Sequence, residues 1–351
     1  MFGLQVMVFK ELLSVRYELN KEKNIPWFRT IVWMWFSVAC FYTFGGTFME
    51  VPIFQHIAFQ KFQLLSMTFG AAQIHEWISF SMYVGTFCMT VLTLKKGAFQ
   101  YQMQQLAWTI FTIILVTIQS KSCVMNVYNG LFWAVFPAVL VITNDVMAYF
   151  VGVSLGKKIV NGPFLPDLSP NKTWEGFLGA GVFTVIAGYY LPVIWGSKRY
   201  FVCTFEEWST HGEDCTIPNV FVQREILLWP LSAVLEEQNI PHIVASPMQL
   251  HGVCLAIFAS VIAPFGGFFA SAIKRAYGIK DFGVLFPGHG GFTDRLDCQF
   301  IMALCTNVHY HTFIQQRAIS TVSLIGSIYA IQSRSALEGI ITAAKRQLES
   351  L

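Results

Sequence analysis

Residues 131–150 read LFWAVFPAVLVITNDVMAYF, twenty positions with a single charged side chain, Asp145. About 20 predominantly apolar residues are what a helix needs to cross the hydrocarbon of a bilayer. The rest of the chain follows the same pattern. Of its 351 residues, 54% are hydrophobic and 12% are charged, and Phe alone occurs 33 times. Soluble domains usually carry about twice that charged fraction. The apolar residues fall in long blocks without strict alternation, which argues against a soluble core and against the alternating strands of a membrane barrel. Lipid offers backbone groups no partner, so the blocks are expected to be helices.

Working outward, strong blocks lie near Ile31–Phe48, Ile78–Leu94, Leu131–Phe150, Phe177–Trp195 and Leu250–Ile273, with shorter ones near Leu106–Ile118 and Phe300–Ile314 and a weak one near Thr321–Ile331. The expected fold is an all-α polytopic integral membrane protein of roughly eight transmembrane helices. Residues 1–28 read as an amphipathic or juxtamembrane segment, because Lys10, Glu11, Arg16 and Glu18 interrupt its apolar run. Residues 29–333 form the transmembrane domain and 334–351 a polar tail. Gly179, Gly181, Gly266 and Gly267 either let helices approach closely or are simply tolerated in lipid.

Lys and Arg near span ends set orientation. Counting spans from Arg29 places Lys95, Lys96, Lys157, Lys158, Lys172, Lys274 and Arg275 on the cytosolic side, and the loop 198–248 in the lumen; Lys198 and Arg199 disagree with the count. Cys203 and Cys215 lie in that loop, where a disulfide is permitted and two free thiols are equally allowed. The 8 cysteines contain no CxxC pair, which argues against a zinc site. Net charge is +3, compatible with anionic lipid or a nucleotide; a nucleic-acid partner is not expected. Asn171-Lys172-Thr173 matches a glycosylation acceptor, but its cytosolic placement predicts no modification.

Chemistry concentrates in residues 271–297, SAIKRAYGIKDFGVLFPGHGGFTDRLD. Charges so close to lipid are expensive unless they pair or bind something. Lys274, Arg275 and Lys280 suit phosphate oxygens, and Asp281, Asp294 and Asp297 suit Mg²⁺, a hard cation that takes oxygen ligands. Gly290 and Gly291 would let backbone N–H groups approach phosphate. Asp294 and Asp297 share a face if a helix has begun by then. His289 either assists a leaving phosphate or hydrogen-bonds within the turn. A second cluster holds Asn144 and Asp145, then Tyr149, Gly152 and Gly156, followed by SPNKTWEG at 169–176, where Ser169, Lys172 and Thr173 are candidate phosphate contacts. Asp145 is a further candidate metal ligand, the alternative being a buried interhelical hydrogen bond.

These residues resemble the signature of eukaryotic phosphatidate cytidylyltransferases, the CDP-diacylglycerol synthases. The correspondence runs through Ser271, Lys274-Arg275, Lys280-Asp281, Pro287, His289-Gly290-Gly291, Asp294-Arg295 and Asp297, and through Asn144–Tyr149 and Ser169–Gly176. Asn171 stands where that family has lysine, so it carries no phosphate role here. Pro26–Thr30 also resembles animal and fungal members. The resemblance implies transfer of CMP from CTP to phosphatidate, Mg²⁺ as cofactor, membrane lipid as surroundings, an endoplasmic reticulum site facing the cytosol, and a family in which homodimers occur. It implies that Asp281, Asp294 and Asp297 hold Mg²⁺, that the basic residues engage phosphates, and that Ser271 donates a hydrogen bond. Family members usually carry more N-terminal sequence, so the chain reads as a short form or as lacking its start. The competing readings are a CTP-dependent lipid-alcohol kinase, a transporter and an inactive scaffold.

Overall fold

The computed structural model describes residues 2–16, 25, 27–50, 71–160, 162–166, 168–226, 243–285 and 290–315. Residues 1–308 form one compact unit, and the architecture below is that of this unit. Its helices are α1 (Phe2–Ser14), α2 (Phe28–Glu50), α3 (Ala71–Leu92), α4 (Phe99–Tyr128), α5 (Leu131–Leu155), α6 (Trp174–Trp195), the short α7 (Arg199–Val202) and α8 (Phe205–His211), α9 (Pro247–Val261), α10 (Pro264–Ala276) and α11 (Thr293–His309). The all-α expectation needs one amendment. Two antiparallel pairs, β1 (Pro163–Leu165) with β2 (Ser169–Thr173) and β3 (Arg224–Ile226) with β4 (Ile243–Ala245), occupy loops between the long helices.

Among the described residues four segments are long and apolar enough to cross a membrane: α4, α5, α6 and α9 with α10 taken together over Pro247–Ala276. The protein is therefore a mostly helical, polytopic membrane protein. The third span is much longer than its hydropathy suggested, 30 residues in place of 106–118. The cause is an inward polar face: Gln102, Gln105, Thr109, Thr112, Thr117, Ser120 and Asn126 are all buried. Such residues lower the apparent hydropathy without ending the helix, because hydroxyls such as those of Thr109 and Thr112 return to carbonyls one turn back. The sixth span is broken. Pro264 has no N–H to continue the ladder, so one helix ends at Val261 and another begins at Pro264. The seventh begins earlier than expected, at Thr293, before its apolar run. The weak block at 321–331 and the tail at 334–351 lie outside the described residues.

Close crossings hold the bundle together. A Cβ on Gly188 of α6 would sit 2.6 Å from the Ala256 Cβ and 2.7 Å from the Gly252 carbonyl oxygen of α9. Among the glycines singled out from sequence, Gly179 meets Val151, and Gly266 and Gly267 meet α11, whereas Gly181 has ordinary spacing to Ser260. Asn126 Nδ2 donates to the Ala303 carbonyl and Gln299 Nε2 to that of Ala138, so α11 is bonded to both α4 and α5.

Helix α1 belongs to this core. Val8, Phe9 and Leu12 are buried with Phe36 and Cys40 of α2, Ile113 and Val116 of α4, and Phe282 and Phe300. In lipid such side chains hold helices together by close van der Waals packing. Phe9 stacks on Phe36 at 4.1 Å, and Trp108 Nε1 donates to the Leu12 carbonyl at 3.0 Å.

The two ends of the bundle differ. At one, Cys203 and Cys215 form a disulfide. The segment from Cys203 to Phe221 covers the α4–α5 turn, with Phe132 edge-on to Phe221 and Tyr128 edge-on to Phe205. At the other lie the β1–β2 hairpin, the C-terminus of α10 and the N-terminus of α11.

Candidate active site

The C-terminal half of α5, the strand β2 and the start of α6 meet around a cavity of about 510 Å³. Asn144, Asp145, Tyr149, Ser169, Lys172 and Thr173 line it, with Phe164, Pro264 and Phe268 on its apolar side. The second cluster read from the sequence is therefore one wall of one cavity. Asn144 is buried, and its Oδ1 accepts from Thr184 Oγ1 at 3.4 Å. The Lys172 ammonium sits 4.5 Å from the centre of the Phe268 ring, an orientation set by cation–π attraction. Thr173 has a local duty: its Oγ1 accepts from Gly176 N at 3.2 Å and caps α6.

Glu175, which the sequence reading quoted without assigning it a task, organises the loop opposite. Its carboxylate accepts from the backbone N–H groups of Lys157, Ile159 and Val160 at 3.2, 3.0 and 2.8 Å. This ties the chain leaving α5 to the first turn of α6 and fixes the rim of the cavity.

The other cluster is built where α10 ends and α11 begins. Lys274 Nζ lies 2.9 Å from Asp294 Oδ1. Asp294 Oδ2 accepts from Phe282 N and Gly291 N, each at 2.9 Å. Gly290 has φ +83°, and a Cβ there would lie 2.7 Å from Asp294 Oδ2. The glycines thus admit a carboxylate, and the Gly291 N–H is directed at Asp294. Asp281 is exposed beside the same turn. Ser271 is half-buried on α10, one turn before Lys274, while Arg275 and Lys280 are exposed. Pro287 and His289 lie outside the described residues.

The two clusters form one electrostatic system. Asp145 interacts with Lys172 and with Arg295, and Asp297 interacts with Asp145 and Lys274. Asp297 Oδ1 accepts from Cys298 N at 2.7 Å, and a Cβ on Gly266 would lie 2.5 Å from the Asp297 carbonyl oxygen, so α10 and α11 approach here because that side chain is absent. Among the described residues no group of three or more His, Cys, Asp and Glu is arranged as a metal cage. Asp294 is engaged by Lys274 and two amides, which leaves Asp145, Asp281 and Asp297 as the remaining carboxylates of the two clusters. That donor set fits Mg²⁺, which is commonly bound through one or two carboxylates and completed by water and substrate phosphates.

The fold and this site define a class: polytopic membrane proteins with a carboxylate-and-lysine centre at one end of the bundle. The sequence profile of the Cytidylyltransferase family matches residues 1–313, and the chain belongs to that family. It is 40% identical over 328 residues to a probable phosphatidate cytidylyltransferase of Dictyostelium discoideum, covering 89% of this chain and 64% of that protein. It is 36% identical to the phosphatidate cytidylyltransferase of Saccharomyces cerevisiae, covering 93% and 69%, and 36% identical to phosphatidate cytidylyltransferase 1 of Homo sapiens, covering 89% and 66%. The chain thus spans about two-thirds of the length of these relatives.

Proposed function

We propose that this protein transfers CMP from CTP to phosphatidate, giving CDP-diacylglycerol and pyrophosphate. The observation that carries the proposal is a cavity that sets Asp145, Ser169 and Lys172 against the Phe164 and Phe268 rings, with Asp297 within electrostatic reach of both Asp145 and Lys274. Family membership and the names of the relatives support it.

A phosphate oxygen of phosphatidate attacks the α-phosphorus of CTP; the bond to the β-phosphate oxygen breaks, and pyrophosphate leaves. The nucleophile is already ionised near neutral pH, so the barrier is repulsion between polyanions together with charge growing on the transferred group. Lys172 supplies positive charge from the α5–α6 side and Lys274 from the α10–α11 side. Asp145 and Asp297 would hold Mg²⁺, which neutralises phosphate oxygens when bound. Ser169, placed on the cavity wall, donates a hydrogen bond to a phosphate, and Ser271 does so from α10. Holding both substrates in line supplies much of the remaining acceleration. Tyr149, Val153 and Phe164 give the cavity an apolar side on which acyl chains remain in the bilayer.

The same proposal includes the finer topology. α2, α3 and α11 also cross the membrane, the site faces the cytosol of the endoplasmic reticulum, and the disulfide-bonded loop faces the lumen, an oxidising compartment. Cross-linking in detergent tests whether the chain forms a homodimer.

The deciding experiment supplies the purified chain with phosphatidate in micelles and CTP labelled at the α-phosphate. Label entering the lipid in a Mg²⁺-dependent manner supports CMP transfer. Label entering the lipid only when CTP carries it at the γ-phosphate instead indicates a lipid kinase, and no labelled lipid from folded protein with either CTP overturns the proposal.

A further inference from the structure

Glu11 reads in the sequence as one of the charges that interrupt the apolar run of residues 1–28. In the fold it lies in a socket at the start of α11, 282 residues away at Thr293. Glu11 Oε1 accepts from Phe292 N at 3.0 Å. Glu11 Oε2 accepts from Thr293 N at 2.8 Å and from Thr293 Oγ1 at 2.8 Å. Two glycines make room for it. A Cβ on Gly283 would lie 2.6 Å from Glu11 Oε1, and one on Gly291 would collide with the same carboxylate.

Three features give this contact a consequence for the site. First, the amides at a helix start have no intrahelical acceptor, and a negative group there is favoured by the helix dipole. Glu11 therefore fixes where α11 begins. Second, the next residue is Asp294, whose own carboxylate binds Gly291 N and Phe282 N and pairs with Lys274. The turn from Gly290 to Thr293 is thus clamped between Glu11 and Asp294. Third, the arm bearing Glu11 is rigid. Phe9 stacks on Phe36, Trp108 donates to the Leu12 carbonyl, and the Arg16 guanidinium donates to the carbonyl and side chain of Gln104.

We infer that Glu11 is a positioning residue of the active centre: from α1 it sets the start of α11, and through it the placement of Asp294 and Asp297 against Lys274 and Asp145. It acts without touching substrate, and the inference rests on the CMP-transfer reading above. A carboxylate is required because two acceptor oxygens face donors on both sides. In Glu11→Gln one of those oxygens becomes an NH₂ directed at an N–H or O–H.

The test uses the full chain with Glu11→Gln, Thr293→Val and the double variant. Activities are normalised to folded protein, and amide exchange is followed by mass spectrometry. Glu11→Gln is expected to speed exchange in residues 291–296 about tenfold while α5 and α6 keep their wild-type rates. It should lower kcat about ten- to a hundredfold with KM for CTP and for phosphatidate within about twofold, and raise the Mg²⁺ half-saturation several-fold. The double variant should be no slower than Glu11→Gln, because both substitutions break one network. Faster local exchange with wild-type kcat would make Glu11 a fold staple only and overturn the inference, as would unchanged exchange. A folded wild-type chain that transfers no CMP overturns the parent reading instead.

Discussion

Lys274 and Asp294 are joined at 2.9 Å across the gap between the last turn of α10 and the first turn of α11. Asp294 also holds two backbone amides on its other oxygen. The pair is therefore a joint as well as a charge source, and removing one partner leaves the other poorly solvated. Lys274→Met and Asp294→Asn should each lower kcat/KM at least about tenfold. Their double variant should fall short of the product, with a coupling energy of about 1–3 kcal/mol. Full additivity in this cycle would show that the ion pair is not what links the helices.

Asp145 and Asp297 make the sharpest separation between stability and activity. Two carboxylates of like charge interact across the cavity edge, a costly arrangement for a fold alone. Replacing either by Asn removes that repulsion and keeps the shape. Thermal unfolding of Asp145→Asn and of Asp297→Asn is expected to be unchanged or raised by a few degrees. CMP transfer should fall about a thousandfold, equivalent to ~4 kcal/mol of lost transition-state stabilisation. A variant that melts lower and retains its turnover would place the residue among structural polar groups.

Gly290 tests the turn itself. Its φ of +83° is strained for any other residue, and a Cβ would lie 2.7 Å from Asp294 Oδ2. Gly290→Ala should cost about 1–3 kcal/mol and displace the Asp294 carboxylate from its amides. Turnover should drop at least about tenfold. The expected loss is seen by comparing unfolding midpoints and initial rates, and an unaltered rate would mean that the turn tolerates displacement of Asp294.

Much of this arrangement was legible in the sequence, for identifiable reasons. The apolar blocks mark α2, α3, α5 and α6 because lipid demands length and apolarity. The run from Ser271 to Asp297 marks the site because charges beside lipid need a purpose. Hydropathy failed for α4, whose inward Gln, Thr and Asn side chains resemble the end of a span when averaged. The glycines at 290 and 291 have the sequence pattern of a phosphate cradle, and the fold directs that space at Asp294 and Glu11. Nothing local marks Glu11 or Glu175 as organisers, because their partners are backbone amides, which no sequence pattern displays. That Asp145 comes within electrostatic reach of Asp297 is equally invisible, since it depends on how α5 crosses α11.

The disulfide gives an independent test of which end of the bundle is which. The chain has 8 cysteines, and Cys203 and Cys215 are paired in the loop opposite the site, leaving six free: Cys40, Cys88, Cys123, Cys254, Cys298 and Cys305. Protein isolated from membranes without reductant, then denatured and treated with a maleimide mass tag, is expected to take up six tags, and eight after reduction. Eight tags before reduction would mean that the loop resides in a reducing compartment. Because that loop and the Lys274–Asp294 joint lie at opposite ends of the helices, that result would also overturn the assignment of the site to the cytosol.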